Sequence, residues 1–209
     1  PEHDSYMATM PYKQVKEVIW AYVKRFKELE LNKNIQYILI FKNHGKEAGA
    51  SLSHSHSQLI ATPVIPKRVA EEIKGSKSYY KFRERCVYCD MVTQELSEGT
   101  RIVEENDLFL AFEPFAARFP FETWILPKKH RYNFGKSSTA EIDKFAKVLK
   151  NTLYKIYKAL DNPPFNFMLH TGIKSIKGGE DYYHWHLEIV PRLTDIAGFE
   201  WGSGFYINP

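Results

Sequence analysis

The sequence has 209 residues, of which 44% are hydrophobic and 15% aromatic, with a formal net charge of +4. This hydrophobic fraction is enough for a packed core and excludes a disordered chain. The mild charge suits an anionic small-molecule substrate, whereas no block of Lys and Arg indicates nucleic acid and no apolar stretch is long enough to span a membrane. With no secretory leader visible, we expect a cytoplasmic protein.

The first predicted element is a helix from Pro11 to about Leu31. Thr9 and Pro11 form a helix-start signal, an N-cap residue followed by an early proline. Seven apolar residues then recur at helical spacing: Val15, Val18, Ile19, Tyr22, Val23, Phe26 and Leu29. This pattern is typical of an amphipathic helix whose apolar face packs on a core.

Two predicted strands follow, Ile35 to Phe41 and Leu59 to Val64, and the loop between them contains Gly45 and Gly49. Glycine lets a loop backbone come close to a ligand, and the amide groups of such a loop can bind phosphate oxygens. The sequence therefore predicts a loop that faces an anionic ligand.

The loop ends in His54-Ser55-His56-Ser57-Gln58. Strand side chains alternate, so an extended run would place His54, His56 and Gln58 on one face. Two histidines at i and i+2 also occur as metal ligands or as ordinary surface residues. This run by itself therefore favours no particular chemistry.

The second half predicts an α+β module on an antiparallel sheet, because its elements follow the order β-β-β-α-β-β. Ser138 and Glu141 form a capping-box signature at the start of its helix. Another His-x-His run, His184-Trp185-His186, opens the last strand. The predicted elements begin with a helix from Pro66 to Gly75 and a polar connector from Ser76 to Arg85. They continue with strands at Arg101–Glu105, Leu108–Glu113 and Phe121–Leu126, a helix to about Leu160, and strands at Phe165–Thr171 and His184–Pro191.

The chain has two cysteines, Cys86 and Cys89, in a C-x-x-C spacing. Without an export signal, this spacing indicates metal binding or redox chemistry rather than a structural disulfide. A redox-active thiol pair remains an alternative. However, the stretch from Tyr79 to Arg85 is too charged to be the strand that precedes a thioredoxin-type motif.

The loop contains three motifs in one run: Asn-x-Gly at 43–45, Gly-x-Ser at 49–51 and His-x-His-x-Gln at 54–58. Together they resemble the active-site signature of the galactose-1-phosphate uridylyltransferase branch of the histidine-triad superfamily. The resemblance implies an α+β fold of tandem histidine-triad-like modules with antiparallel sheets, the first module truncated. Residues 1–66 would hold the catalytic motif, 67–85 a connector, and 86–209 a second module with a zinc site. Because relatives are longer and this sequence begins at Pro1, we expect it to be a fragment with both ends missing.

The activity implied is exchange of UMP between UDP-glucose and galactose-1-phosphate, in a ping-pong reaction through a covalent nucleotidyl-histidine. The resemblance makes His56 the nucleophile and Gln58 the residue that holds the adduct without activating water. It places Asn43, Gly49, Ala50 and Ser51 at the nucleotide phosphates, although Asn43 and Ser51 also suit ordinary turns. It implies that Phe199, Glu200 and Tyr206 hold the sugar at the site of the other subunit of a homodimer; otherwise they lie in a Gly-rich, aromatic tail.

Two alternatives stay open. The serine-rich motif is more similar to relatives from plants and archaea, some of which handle adenylyl groups. The protein would then be a phosphorylase or adenylyltransferase of ADP-sugars or dinucleoside polyphosphates. The other alternative is a zinc-stabilised nucleotide-binding module without catalytic activity.

The resemblance also implies Zn²⁺ at two places. Cys86, Cys89, His130 and His184 would form a complete Cys₂His₂ structural site. His54 and His3 would supply half of another site, whose remaining ligands belong to a segment absent from this sequence. His170 and His186 are further possible ligands of the second-module site, because some relatives use three histidines and a Glu.

Overall fold

The computed structural model describes residues 6–52 and 54–207. Among these residues, no helix is both long enough and apolar enough to cross a membrane. The helices and strands, in chain order, are α1 (Tyr12–Glu30), β1 (Tyr37–His44), β2 (Gln58–Thr62), α2 (Lys67–Arg83), α3 (Val87–Glu98), β3 (Ile102–Glu105), β4 (Phe109–Phe112), β5 (Thr123–Pro127), α4 (Thr139–Ala159), β6 (Phe165–His170), β7 (His186–Pro191) and α5 (Gly198–Ser203).

The seven strands form one sheet in the order β2-β1-β6-β7-β5-β4-β3, and all the paired neighbours are antiparallel. The predicted α+β fold with antiparallel strands is therefore confirmed. The strands of both predicted modules share this sheet, since β1 pairs with β6, with Ile40 opposite Leu169. The position of the β1–β2 loop thus depends on strands from both parts of the sequence.

Helices cover both faces of the sheet. Successive strand residues point to opposite sides, so the strands contribute side chains to both interfaces. On one face, α1 and α4 pack with residues such as Ile40, Phe109 and Trp185. On the other, residues such as Leu110 and Phe112 form a second cluster with side chains of α2 and α3. The β1–β2 loop therefore lies at one edge of a sheet that is packed on both sides.

The helices differ from prediction in three places. The stretch 76–85, expected to be a connector, is helical as far as Arg83, and α2 ends where Glu84 adopts a left-handed φ of 56°. In these additional turns, the Tyr79 hydroxyl donates a hydrogen bond to Asp90 of α3 at 2.7 Å. Helix α3, which begins directly after Cys86, and the short α5 in the tail were not predicted.

Candidate active site and metal-ligand clusters

The glycine loop after β1 closes on itself. The Gly49 amide donates to the Lys46 carbonyl at 2.9 Å, and the Ala50 amide donates to the Gly45 carbonyl at 3.1 Å. Gly45 has a φ of +82°, and a Cβ on this residue would lie 2.7 Å from the Cβ of Pro164. The amide of Gly49, which was expected to bind phosphate, therefore forms a hydrogen bond within the turn. The glycines give the loop its compact shape.

Asn43 braces this loop from inside. Its side-chain oxygen accepts a hydrogen bond at 2.8 Å from Asn166 of β6, which also donates to the Ala48 carbonyl at 2.8 Å. The Asn43 amide group donates to the Gly49 carbonyl at 3.4 Å. Sequence reasoning missed Asn166, although a polar residue inside an otherwise apolar strand was a signal for it.

Most of the residues predicted to bind the nucleotide line one cleft. This cleft has a volume of about 690 Å³ and is lined by Asn43, Ala50, Ser51, His54 and His56, among others. The carbonyl of Gly49 accepts the hydrogen bond from the Asn43 side chain beside this cleft. Gln58 is the first residue of β2, opposite Phe41, and is not among the cleft's lining residues.

The imidazole of His56 is oriented by a backbone group. Its Nδ1 lies 2.9 Å from the His54 carbonyl oxygen. A carbonyl oxygen only accepts hydrogen bonds, so Nδ1 carries the proton and the lone pair of the neutral ring lies on Nε2. Strand β2 begins at Gln58, so His54 and His56 lie in the preceding loop and not on the predicted strand.

The second His-x-His run repeats this contact in a different setting. His186 Nδ1 lies 3.0 Å from the His184 carbonyl oxygen. However, His186 is fully buried, and its ring stacks on those of Tyr88 and Trp124 at 5.0 and 5.2 Å. A substrate has no access to this ring, whereas His56 opens to a cleft.

Two side chains that were not predicted hold the loop that carries His56. The Lys42 ammonium donates to the Ser55 hydroxyl at 2.9 Å and to the His56 carbonyl at 2.8 Å. The hydroxyl of Tyr22 on α1 is hydrogen-bonded to the Ser57 hydroxyl. The two serines of the motif are therefore anchors between the loop and the body of the protein.

The four predicted ligands Cys86, Cys89, His130 and His184 are brought together, with their ligand atoms within 4.8 Å of one another. Cys89 Sγ lies 3.2 Å from His130 Nδ1 and 3.7 Å from His184 Nδ1. Tetrahedral zinc with thiolate and imidazole ligands separates its ligand atoms by about 3.3–3.8 Å. The donor set and its spacing therefore fit zinc.

The thiols and imidazoles of this cluster share protons: the hydrogen bond with Cys86 raises the pKa of His130, so metal binding would release a proton from this ring. Burial lowers the pKa of His184, which keeps its imidazole neutral. His130 Nε2 lies 2.7 Å from the Glu180 carbonyl, so its Nδ1 is the nitrogen that faces the cysteines. A hydrogen bond from Cys89 lowers the pKa of the Cys86 thiol, and sharing this proton raises the pKa of Cys89. One thiolate is thus already stabilised.

His170 and His186, left open as ligands, do not join the cysteines. They form a second group with Glu72 of α2, a residue that was not singled out from the sequence. His186 Nε2 lies 3.0 Å from Glu72, and His170 Nδ1 lies 3.4 Å from it. Burial acts to raise the pKa of Glu72, but the two histidines outweigh it and hold this pKa well below its usual range.

The tail residues lie away from His56 in this chain. Glu200 accepts a hydrogen bond from the Ala197 amide at 3.2 Å, at the start of α5. Phe199 is 56% exposed, and Tyr206 packs on Phe119 with ring centroids 5.0 Å apart. None of the described tail residues lines the cleft that contains His56. The other predicted ligand, His3, lies outside the described residues.

Known proteins are similar to this chain in both sequence and fold. The N-terminal domain of galactose-1-phosphate uridyl transferase matches residues 1–66, and its C-terminal domain matches residues 39–195. ADP-glucose phosphorylase of Arabidopsis thaliana is 38% identical over 100% of this chain and 58% of the relative. Galactose-1-phosphate uridylyltransferase of Thermotoga maritima is 35% identical over 100% of this chain and 67% of the relative.

A crystal structure of an ADP-glucose phosphorylase from Arabidopsis thaliana with bound ADP-glucose has a TM-score of 0.92 to this chain. The two are 37% identical, and the match covers 100% of this chain and 67% of the other. The chain thus spans about three fifths to two thirds of the length of these relatives. It belongs to the galactose-1-phosphate uridyl transferase family.

Proposed function

We propose that the protein is a nucleotidyltransferase that works through a covalent nucleotidyl-histidine at His56. The observation that carries this proposal is the contact between His56 Nδ1 and the His54 carbonyl, which places the lone pair on Nε2 of a ring that lines the cleft. An imidazole with this tautomer is a competent nucleophile at neutral pH.

In the first step, His56 Nε2 attacks the α-phosphorus of a sugar nucleotide. A nitrogen–phosphorus bond forms while the bond between this phosphorus and the bridging oxygen breaks, and a sugar 1-phosphate leaves. In the second step, a phosphate oxygen of the acceptor attacks the same phosphorus and releases His56. A glutamine at position 58 suits transfer rather than hydrolysis, because an amide cannot act as a base toward water, although Gln58 itself is not among the residues that line the cleft.

The first candidate pair is UDP-glucose as donor and galactose-1-phosphate as acceptor. A second candidate is an ADP-sugar as donor with phosphate as acceptor, which the 38% identity to ADP-glucose phosphorylase favours. The His56 step is common to both reactions. The candidates differ in the base of the nucleotide and in whether a hexose phosphate or inorganic phosphate takes the nucleotidyl group.

Intact mass of the protein after incubation with UDP-glucose, and separately with ADP-glucose, tests the proposal. We expect the mass to increase by one UMP or one AMP group, and the donor that reacts identifies the nucleotide. The His56→Gly variant should keep its original mass with both donors. Binding of both sugar nucleotides without any mass increase in the wild type would support the non-catalytic binding module instead.

We also propose that zinc occupies the Cys86, Cys89, His130 and His184 cluster. The support is the complete set of two sulfur and two nitrogen donors at a spacing that suits tetrahedral coordination. With four protein ligands, such a site is closed to substrate, so its contribution is to fold stability. It ties the start of α3 to the segment that enters β7.

We propose further that Phe199, Glu200 and Tyr206 serve the His56 site of a partner subunit in a homodimer. Exposure of Phe199 and the separation of the tail from the cleft in one chain support this arrangement. The carboxylate of Glu200 suits sugar hydroxyls because it accepts two hydrogen bonds.

Complementation between two inactive variants tests the shared site. His56→Gly and Glu200→Ala should each be severely impaired alone. When they are unfolded together and refolded, half of the dimers are mixed, and each mixed dimer has one site with both residues intact. Activity should therefore return to about a quarter of the wild type. No recovery in a sample whose mixed dimers are verified by mass would exclude the shared site.

A further inference from the structure

We propose that Lys42 is a positioning residue for the nucleophile: its ammonium holds the His56 loop through the Ser55 hydroxyl and the His56 carbonyl. This inference rests on the proposed role of His56. Lys42 also lines the cleft, but the two hydrogen bonds of its ammonium go to the loop itself, and it is through these that it positions His56.

The place of Lys42 in the sheet shows why the contact matters. Along β1, the side chains of Ile38 and Ile40 face the core that α1 and α4 share, and Lys42 continues the same alternation. Only 3% of Lys42 is exposed. Burial of an ammonium group costs free energy unless hydrogen bonds compensate for it, and this burial lowers the pKa of Lys42 to about 8.

The two hydrogen-bond partners of this ammonium both lie in the His56 loop. In the described part of the chain, no carboxylate forms an ion pair with Lys42. Its two hydrogen bonds both go to adjacent loop residues, Ser55 and His56. The cost of burying this charge is therefore offset by contacts that fix one short segment, and that segment carries the proposed nucleophile.

Two contacts then fix the His56 imidazole in complementary ways. Lys42 holds the backbone carbonyl of His56, and the His54 carbonyl holds Nδ1 of the ring at 2.9 Å. If the backbone shifts, the ring loses its direction toward the cleft. A displacement of about 1 Å at a reacting group costs as much as 10²-fold in rate.

Replacement of Lys42 by methionine removes the ammonium and keeps a long apolar side chain. We expect Lys42→Met to slow formation of the His56 adduct at saturating sugar nucleotide by about 10²-fold, with the KM for the sugar nucleotide nearly unchanged. The melting temperature at pH 7 should stay the same or rise, because a buried charge is removed. Ser55→Ala, which breaks one of the two contacts, should give a smaller loss.

Lys150→Met is the matched control, because Lys150 also donates from its ammonium to a backbone carbonyl, that of Ala8 at 3.2 Å. This variant should form the adduct at the wild-type rate. A rate loss in Lys42→Met that is matched by a lower melting temperature, or by an equal loss in Lys150→Met, would overturn the inference. If Lys42→Met does not fold, the rate of Ser55→Ala decides, and a wild-type rate overturns the inference.

Hydrogen exchange of the amides at residues 54–57 separates this inference from the proposed function. Exchange should be faster in Lys42→Met than in the wild type and in Lys150→Met, whether or not a nucleotide reacts. If the wild type forms no adduct, the proposed function fails while faster exchange still supports the positioning role. Unchanged exchange overturns the positioning role even if the wild type forms the adduct.

Discussion

His56→Gly is expected to abolish exchange of label between a sugar nucleotide and its sugar 1-phosphate. The loss should be at least about 10⁴-fold, the scale that removal of a covalent nucleophile reaches in other enzymes. Glycine removes Nε2 completely, whereas the cleft around the glycine loop is formed by other residues, so sugar nucleotide binding should persist. The exchange assay needs no second acceptor, because the sugar 1-phosphate takes the nucleotidyl group back from His56, and it therefore measures the first step and its reversal alone.

His54→Gly is the matched control for this prediction. The contact that orients His56 comes from the backbone carbonyl of residue 54, which glycine retains. Removal of the His54 ring should therefore reduce exchange much less than His56→Gly does. Recovery of labelled nucleotide on His54 or on Ser51 after digestion would contradict the assignment of His56.

Cys86→Ser together with Cys89→Ser should give the largest loss of stability. Zinc binding to a structural site contributes about 10 kcal/mol or more at pH 7, and a typical domain is stable by only about 5–15 kcal/mol. The double variant should therefore lose one bound zinc per chain and melt far below the wild type. Metal analysis, together with thermal unfolding with and without a chelator, measures both effects.

Glu72→Gln distinguishes the two ligand clusters. It removes a carboxylate from the Glu72, His170 and His186 group and leaves the cysteine cluster intact. We expect this variant to retain the zinc that the cysteine variant loses. Zinc that stays in the cysteine variant and disappears in Glu72→Gln would place the metal in the other cluster.

The fold was predictable where periodicity or capping is strong. Helix α1 follows the predicted spacing closely, and α4 begins with the capping box of Ser138 and Glu141. Helix α3 was missed because its short sequence after Cys86 mixes polar and apolar residues without a clear stripe. Tertiary contacts extend α2, since Tyr79 bonds to Asp90 on the next helix. Such contacts join elements and leave no local pattern.

The candidate site was predictable only in part. The loop motif pointed to most of the residues that line the cleft, and the C-x-x-C spacing with the family resemblance pointed to the four ligands that the structure brings together. It did not reveal that Ser55 bonds to Lys42 and Ser57 to Tyr22, or that residues 54–57 precede the β2 strand instead of joining it. Lys42 had a detectable signal, because it continues the inward-facing positions of Ile38 and Ile40.

The pairing of β1 with β6 has a consequence for how this chain acquires its structure during synthesis. Asn43 on β1 is opposite Asn166 on β6, so this contact closes only after more than half of the sequence has been translated. Contacts between such distant residues form slowly, because the chain entropy lost on closing a long loop comes first. Until then, β1 presents an unpaired strand edge to other molecules, which is a known route to aggregation. The β1–β2 loop therefore reaches its final structure only after β6 has folded, although the loop itself is synthesised first.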